Sequence, residues 1–217
     1  MKKKRRKKKQ IRIILLALII VLPIVIGTVV FLLYEKPEKN SEAVMLDEVF
    51  GLTITHSYIP AANVNRTLIP RPIKYIVIHE TDNYSASAGA LNHAKYLLLG
   101  EAVNGWHYTV DESSIYHHVP DNEVAYHAGT WEGNYYGIGI ELCVNEGADF
   151  EQTMDNAAKL TAMLIITYDL DISAVKQHYD FSGKDCPHLI REQGLMDDFL
   201  NQVEYYLTLY MKRNNLP

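Results

Sequence analysis

The chain has 217 residues, with 21 Lys and Arg against 26 Asp and Glu, which is room for one ordinary domain beyond a membrane segment. Nine of the basic residues and no acidic one stand before residue 13, so the remainder holds 12 basic against 26 acidic residues, a net charge of −14. That balance argues against nucleic acid or another polyanion as the main ligand, because phosphate recognition needs a basic face.

The leader, residues 1–12, is followed by an uncharged run of 22 residues from Ile13 to Tyr34. A helix of about 20 residues crosses a hydrocarbon core, and a basic cluster directly beside such a span follows the positive-inside rule. The expectation is an uncleaved single-pass anchor with the N-terminus cytoplasmic, Pro23 being tolerable mid-span. A cleaved signal peptide fits less well, since its apolar region runs about 7 to 15 residues before a small-residue cleavage site, and no Ala-x-Ala follows. Residues 35–44, polar and containing Pro37, read as a linker, and residues 45–217 as one extracytoplasmic domain.

Within that domain, Lys74 to Thr81 reads as a buried strand, and Ser85 to Leu99 as a helix stopped by Gly100. Asn104-Gly105 marks a turn. Trp106 to Asp111 and Ser114 to Val119 read as two strands of a hairpin joined at Glu112-Ser113, and Gly137 to Val144 as another strand. Glu151 to Asp169 and Gly194 to Lys212 carry helical spacing of apolar residues. Strands interleaved with helices predict an α/β domain, a mixed central β-sheet flanked by helices.

The chemistry centres on Gln177 to Pro187, where His178 and Cys186 supply the imidazole and thiolate that Zn²⁺ prefers, with Lys184 between them. A third ligand is expected elsewhere, and His79, at the polar end of Tyr75-Ile-Val-Ile-His79, is the best placed; a histidine there taken alone is more often a hydrogen-bonded strand-end residue than a ligand. Three protein ligands leave one position open, the pattern of a catalytic zinc. A Cys143–Cys186 disulfide is the competing use of the two cysteines in an exported protein. Glu141, on an otherwise apolar strand, is costly to bury without compensation; it reads as a general base or as half of a structural salt bridge. Lys184 reads as an oxyanion stabiliser or an ordinary solvated lysine. His127, in an aromatic-rich loop, and Trp106 are candidates for lining a groove, though Trp106 is equally a core residue. His-Glu-x-x-His, Gly-x-Ser-x-Gly and a phosphate loop are all absent.

Tyr75 to His79, Trp106 to Asp111, Tyr126-His-Ala-Gly129, Gly137-Ile-Gly-Ile-Glu141 and His178 with Lys184-Asp-Cys-Pro187 together resemble, in order, the zinc amidases of the N-acetylmuramoyl-L-alanine amidase family. This resemblance implies zinc held by His79, His178 and Cys186, with Glu141 and Lys184 as the catalytic pair. It also implies a peptidoglycan substrate, cut at the amide between N-acetylmuramic acid and L-alanine. In some members a tyrosine precedes the hairpin histidine; Trp106 stands there, which leaves Glu141 as the base. Three readings compete: a peptidoglycan-binding module without hydrolysis, a zinc peptidase acting within the stem peptide, and a tethered scaffold around a structural zinc. Regulation of such a hydrolase is expected, with no residue to assign to it and no protein partner identified.

Overall fold

The structure, a computed structural model, describes residues 44–214. The leader, the expected span and the linker up to residue 43 lie outside the described residues; among those described, no helix is long and apolar enough to cross a membrane. Strands β1 (Glu48–Val49), β2 (Leu52–His56), β3 (Tyr75–Glu80), β4 (Tyr108–Val110), β5 (Ile115–His117), β6 (Gly137–Leu142) and β7 (Val175–Gln177) form one seven-stranded sheet in the order β1-β2-β5-β4-β6-β3-β7. The sheet is mixed: β6, β3 and β7 run parallel, while β4 and β5 pair as the antiparallel hairpin expected from the sequence.

Side-chain alternation along the strands splits the sheet into two faces of different character. Ile76 and Ile78 of β3, Tyr108 and Val110 of β4, and Ile138, Ile140 and Leu142 of β6 enter one core. That core is shared with α3 (Phe150–Tyr168) and α6 (Met196–Arg213) through Leu160, Leu164, Phe199 and Val203. Alternation therefore puts His79, Thr109, Gly139 and Glu141 on the opposite face. A smaller cluster of Ile59, Leu97, Trp106, Val119 and Ala125 seats α1 (Ala90–Leu99) at one end of the molecule. Three short helices complete the fold: α2 (Trp131–Tyr136), α4 (His178–Ser182) and α5 (His188–Glu192).

Helix α1 begins later than its sequence predicts. The stretch from Ser85 stays irregular, and the first helical amide, Ala90 N–H, donates at 2.9 Å to Asp111 Oδ2. The other oxygen, Asp111 Oδ1, accepts from the amides of Ser113 and Ser114. One carboxylate thus starts a helix and closes the hairpin turn, a cap supplied from 21 residues away that no local pattern announces. Gly100 ends the helix in the left-handed conformation, φ 67°.

Candidate metal centre and groove

Three parallel neighbours bring the chemistry to one sheet end. β6 and β3 pair with His79 directly opposite Glu141, and β3 pairs with β7 with Ile78 opposite Gln177. The next residue after Gln177 is His178, so it emerges beside His79. The C-terminal end of parallel strands is where α/β sheets place ligands. A capping box fixes how the chain turns into α4, with Gln177 N–H donating to Asp180 Oδ2 at 2.8 Å.

His79, His178 and Cys186 are all buried, and one ligand atom from each lies within 4.8 Å of the other two. The two Nδ1 atoms are 3.1 Å apart, and Cys186 Sγ is 3.8 Å from His79 Nδ1. Zinc with Zn–N near 2.05 Å and Zn–S near 2.3 Å sets tetrahedral edges of about 3.3 Å for N···N and about 3.6 Å for N···S. The donor set therefore fits a tetrahedral dication with one corner left open. Both cysteines are free, so the disulfide is not formed; Cys143 sits buried with its Sγ 3.9 Å from His93 Nδ1.

The protons on the imidazoles point the same way. His127 Nε2 faces the carbonyl oxygen of Gly137 at 3.1 Å and must donate to it. Its Nδ1 is then an acceptor, and it lies 2.9 Å from His79 Nε2, which therefore carries a hydrogen. His79 Nδ1 is left with a lone pair aimed at His178 and Cys186. Burial and the Lys184 charge lower the basicity of His178 to about 4, and burial holds His79 and His127 neutral as well. Neutral imidazole is the ligating form. The sequence suggested His127 as a groove-lining residue; the structure places it behind His79, where it fixes the tautomer of that ligand. Room for it comes from Gly139, since a Cβ there would sit 2.8 Å from the His127 ring. Asn134 Oδ1 accepts from the amides of His127 and Ala128, holding this loop in place.

Glu80 has a role that the sequence reading did not assign. It is buried, with Oε2 and Oε1 accepting from the amides of Leu189 and Ile190 at 2.8 and 2.9 Å, which caps α5 and secures the Cys186-Pro187 segment. A lone carboxylate on an apolar strand was the available signal, as it was for Glu141.

Glu141 and Lys184 line a groove of about 480 Å³ beside the His/His/Cys cluster. Its walls include Asp82, His93, Tyr96 and Trp106. Trp106 is thus both a member of the small core and part of the groove wall, with its Nε1–H donating to Thr109 Oγ1 at 2.7 Å and Tyr96 stacked on its ring. Glu141 Oε2 is sealed from solvent and has no hydrogen-bond partner. Burial pushes this carboxyl up to about 8, against the nearby Lys184 charge, which lowers it. Burial likewise raises the Cys186 thiol to about 12. Both shifts run in the direction that an adjacent dication reverses.

A family profile described as N-acetylmuramoyl-L-alanine amidase matches residues 69–189, more than half of the chain. The N-acetylmuramoyl-L-alanine amidase CwlH of Bacillus subtilis is 36% identical over 155 residues, covering 70% of this chain and 61% of that protein. XlyA of the same species, also an N-acetylmuramoyl-L-alanine amidase, is 37% identical over 138 residues, 63% of this chain and 46% of its own. The solved catalytic domain of XlyA superposes with a TM-score of 0.67 at 34% identity, covering 70% of this chain and 99% of that domain. The chain matches about half to three fifths of the length of these relatives.

Proposed function

Because the chain belongs to the N-acetylmuramoyl-L-alanine amidase family, we propose that it hydrolyses the amide joining N-acetylmuramic acid to L-alanine in peptidoglycan, with Zn²⁺ held by His79, His178 and Cys186. The observation that carries the zinc assignment is the convergence of two imidazoles and a thiol at tetrahedral spacing, with His79 held in its ligating tautomer, beside a carboxylate whose Oε2 is buried without a partner. When bound there, zinc supplies Lewis acidity toward the scissile carbonyl and toward water. Glu141, on the groove wall, takes the proton of the attacking water and returns it to the departing alanine nitrogen. Lys184 offsets the negative charge that gathers on the carbonyl oxygen. His127 keeps His79 in its ligating tautomer, and Trp106 with Tyr96 offers an aromatic wall for the substrate.

The sequence pattern of residues 1–44 supports the rest of the reading: a cytoplasmic basic leader (1–12), a membrane helix (13–34) and a linker (35–44) hold the domain outside the membrane, against the wall. The test uses the full chain in detergent with purified peptidoglycan, following zinc content and newly released amino termini. Zinc together with N-terminal alanine, the alanine abolished in Glu141→Ala and the zinc greatly reduced in Cys186→Ser, is the expected result. New termini other than alanine would move the reading to a peptidase, and zinc with no cleavage would move it to a binding module.

A further inference from the structure

On the outer part of the sheet, away from the cluster of His79, lies a second convergence of donors. His56 and His117 are register partners across β2 and β5. His56 Nδ1, His117 Nδ1 and the Tyr58 hydroxyl form a triangle, 3.3 Å along each of its three sides. The far nitrogen of each ring is already committed. His117 Nε2 lies 2.7 Å from the carbonyl oxygen of Val119, with the buried Asp121 carboxylate 3.3 Å away. His56 Nε2 lies 3.1 Å from Asp47 Oδ1. Carbonyl and carboxylate oxygens only accept, so each Nε2 carries the hydrogen and, in the neutral rings, each Nδ1 presents a lone pair.

Two imidazole lone pairs therefore face each other, and the single proton of Tyr58 can serve only one of them. A hydrogen-bonded arrangement of neutral groups leaves the pair in conflict; a cation at the centre removes it. The 3.3 Å sides also equal the tetrahedral edge set by metal–nitrogen bonds of about 2.05 Å. An acceptor behind each imidazole, carboxylate in one case and carbonyl plus carboxylate in the other, is the usual outer support of ligating histidines.

We propose that His56, Tyr58 and His117 form a second metal site, for a divalent first-row ion of the imidazole-preferring class, of which Zn²⁺ is the probe. Its consequence is mechanical. His117 is buried and stacked on Tyr108 at 4.2 Å, whereas the His56 side chain is 21% exposed and ends the strand through which the N-terminal part of the described chain joins the sheet. An ion bridging them pins β2, and the short outer strand β1 paired with it, to β5. The buried Asp121 carboxylate, which accepts from Tyr108 and Tyr168, adds negative charge that a dication offsets.

The test is zinc stoichiometry on the full chain in detergent, stripped with chelator and dialysed against buffered zinc. The wild type should hold two ions, Cys186→Ser one, His56→Ala one, Tyr58→Phe one or a second bound at least tenfold more weakly, and the Cys186→Ser/His56→Ala double variant none. Zinc should raise the Tm of Cys186→Ser by a few degrees and leave the double variant unchanged. A single zinc in the wild type, lost in Cys186→Ser, would overturn the proposal and leave a shared proton between the rings. A second zinc that survives both His56→Ala and Tyr58→Phe at full affinity would overturn it too, placing that ion elsewhere. Loss of the first site has its own signature, an unaltered stoichiometry in Cys186→Ser, so the two assignments fail separately.

Discussion

Replacing Glu141 by Gln should stabilise the metal-free protein, and the gain should grow with pH. The unfolded carboxyl ionises near 4.5, while burial moves the folded one to about 8. Between those values the folded state holds a proton that the unfolded state has lost, so wild-type stability falls as pH rises through this window. Below pH 4.5 the stabilising protonated form is present in both states and the term vanishes. At about 1.4 kcal/mol per pH unit the whole window corresponds to a ceiling of ~5 kcal/mol. Water entry and movement of the exposed Lys184 toward the carboxylate relieve part of it, which leaves about 2 kcal/mol. Urea unfolding of chelator-treated wild type and Glu141→Gln, every half unit from pH 4 to pH 9, measures the difference directly. The curves should coincide to within about 0.5 kcal/mol at pH 4 and separate steadily up to pH 8. Parallel curves across the range would refute the reasoning, since they would mean that Glu141 ionises in the fold as it does in water.

His127→Ala should weaken zinc binding by 10- to 100-fold, through loss of the acceptor that fixes the His79 tautomer, in competition with a chromophoric chelator; an unchanged affinity would mean that His79 selects its own tautomer. Glu80→Gln should cost about 1–3 kcal/mol in thermal or urea unfolding, because an amide oxygen and an NH₂ group cannot replace two carboxylate acceptors for Leu189 and Ile190. Zinc binding near pH 7 should release close to two protons, one from the Cys186 thiol raised to about 12 and one from the Glu141 carboxyl raised to about 8. Calorimetry in buffers of different ionisation enthalpy counts them, and Glu141→Gln should release about one fewer.

Residue chemistry alone made the metal cluster legible, because a His and a Cys eight positions apart form an unusual pair and an apolar strand delivers its terminal His to the sheet end. The main strands and the two long helices were legible for the same reason: their apolar periods extend over enough residues to be read. β1, β2 and β7, of two, five and three residues, and the helices of five or six residues are too short to show a period. Residues 85–89 looked helical because their composition permits helix; what starts α1 is a carboxylate from the hairpin turn. His127 illustrates the deeper limit. Its position depends on the missing side chain of Gly139, a tertiary fit visible in the sequence only as glycine alternating on the face that also carries Glu141. The triangle of His56, Tyr58 and His117 joins residues 61 positions apart, and no local spacing could connect them.

The same burial that makes the metal cluster expensive to hold empty makes it selective when filled. Without an ion, desolvation drives every titratable partner toward its neutral form: imidazoles at His79, His127 and His178, a protonated Glu141 and a thiol at Cys186. Lys184 then faces neutral imidazoles in the cluster, with Glu80 and Asp82 the other carboxylates of the groove wall. A dication with one thiolate and one carboxylate sums to zero, and it turns the Lys184 charge from a source of repulsion toward the histidines into a free positive centre beside the groove. A monovalent ion cannot ionise both groups at neutral pH, and an oxygen-seeking dication such as Mg²⁺ gains little from two imidazoles and a thiolate. Ion choice, the proton state of Glu141 and the availability of Lys184 are therefore one coupled equilibrium, set by how thoroughly the sheet end excludes water.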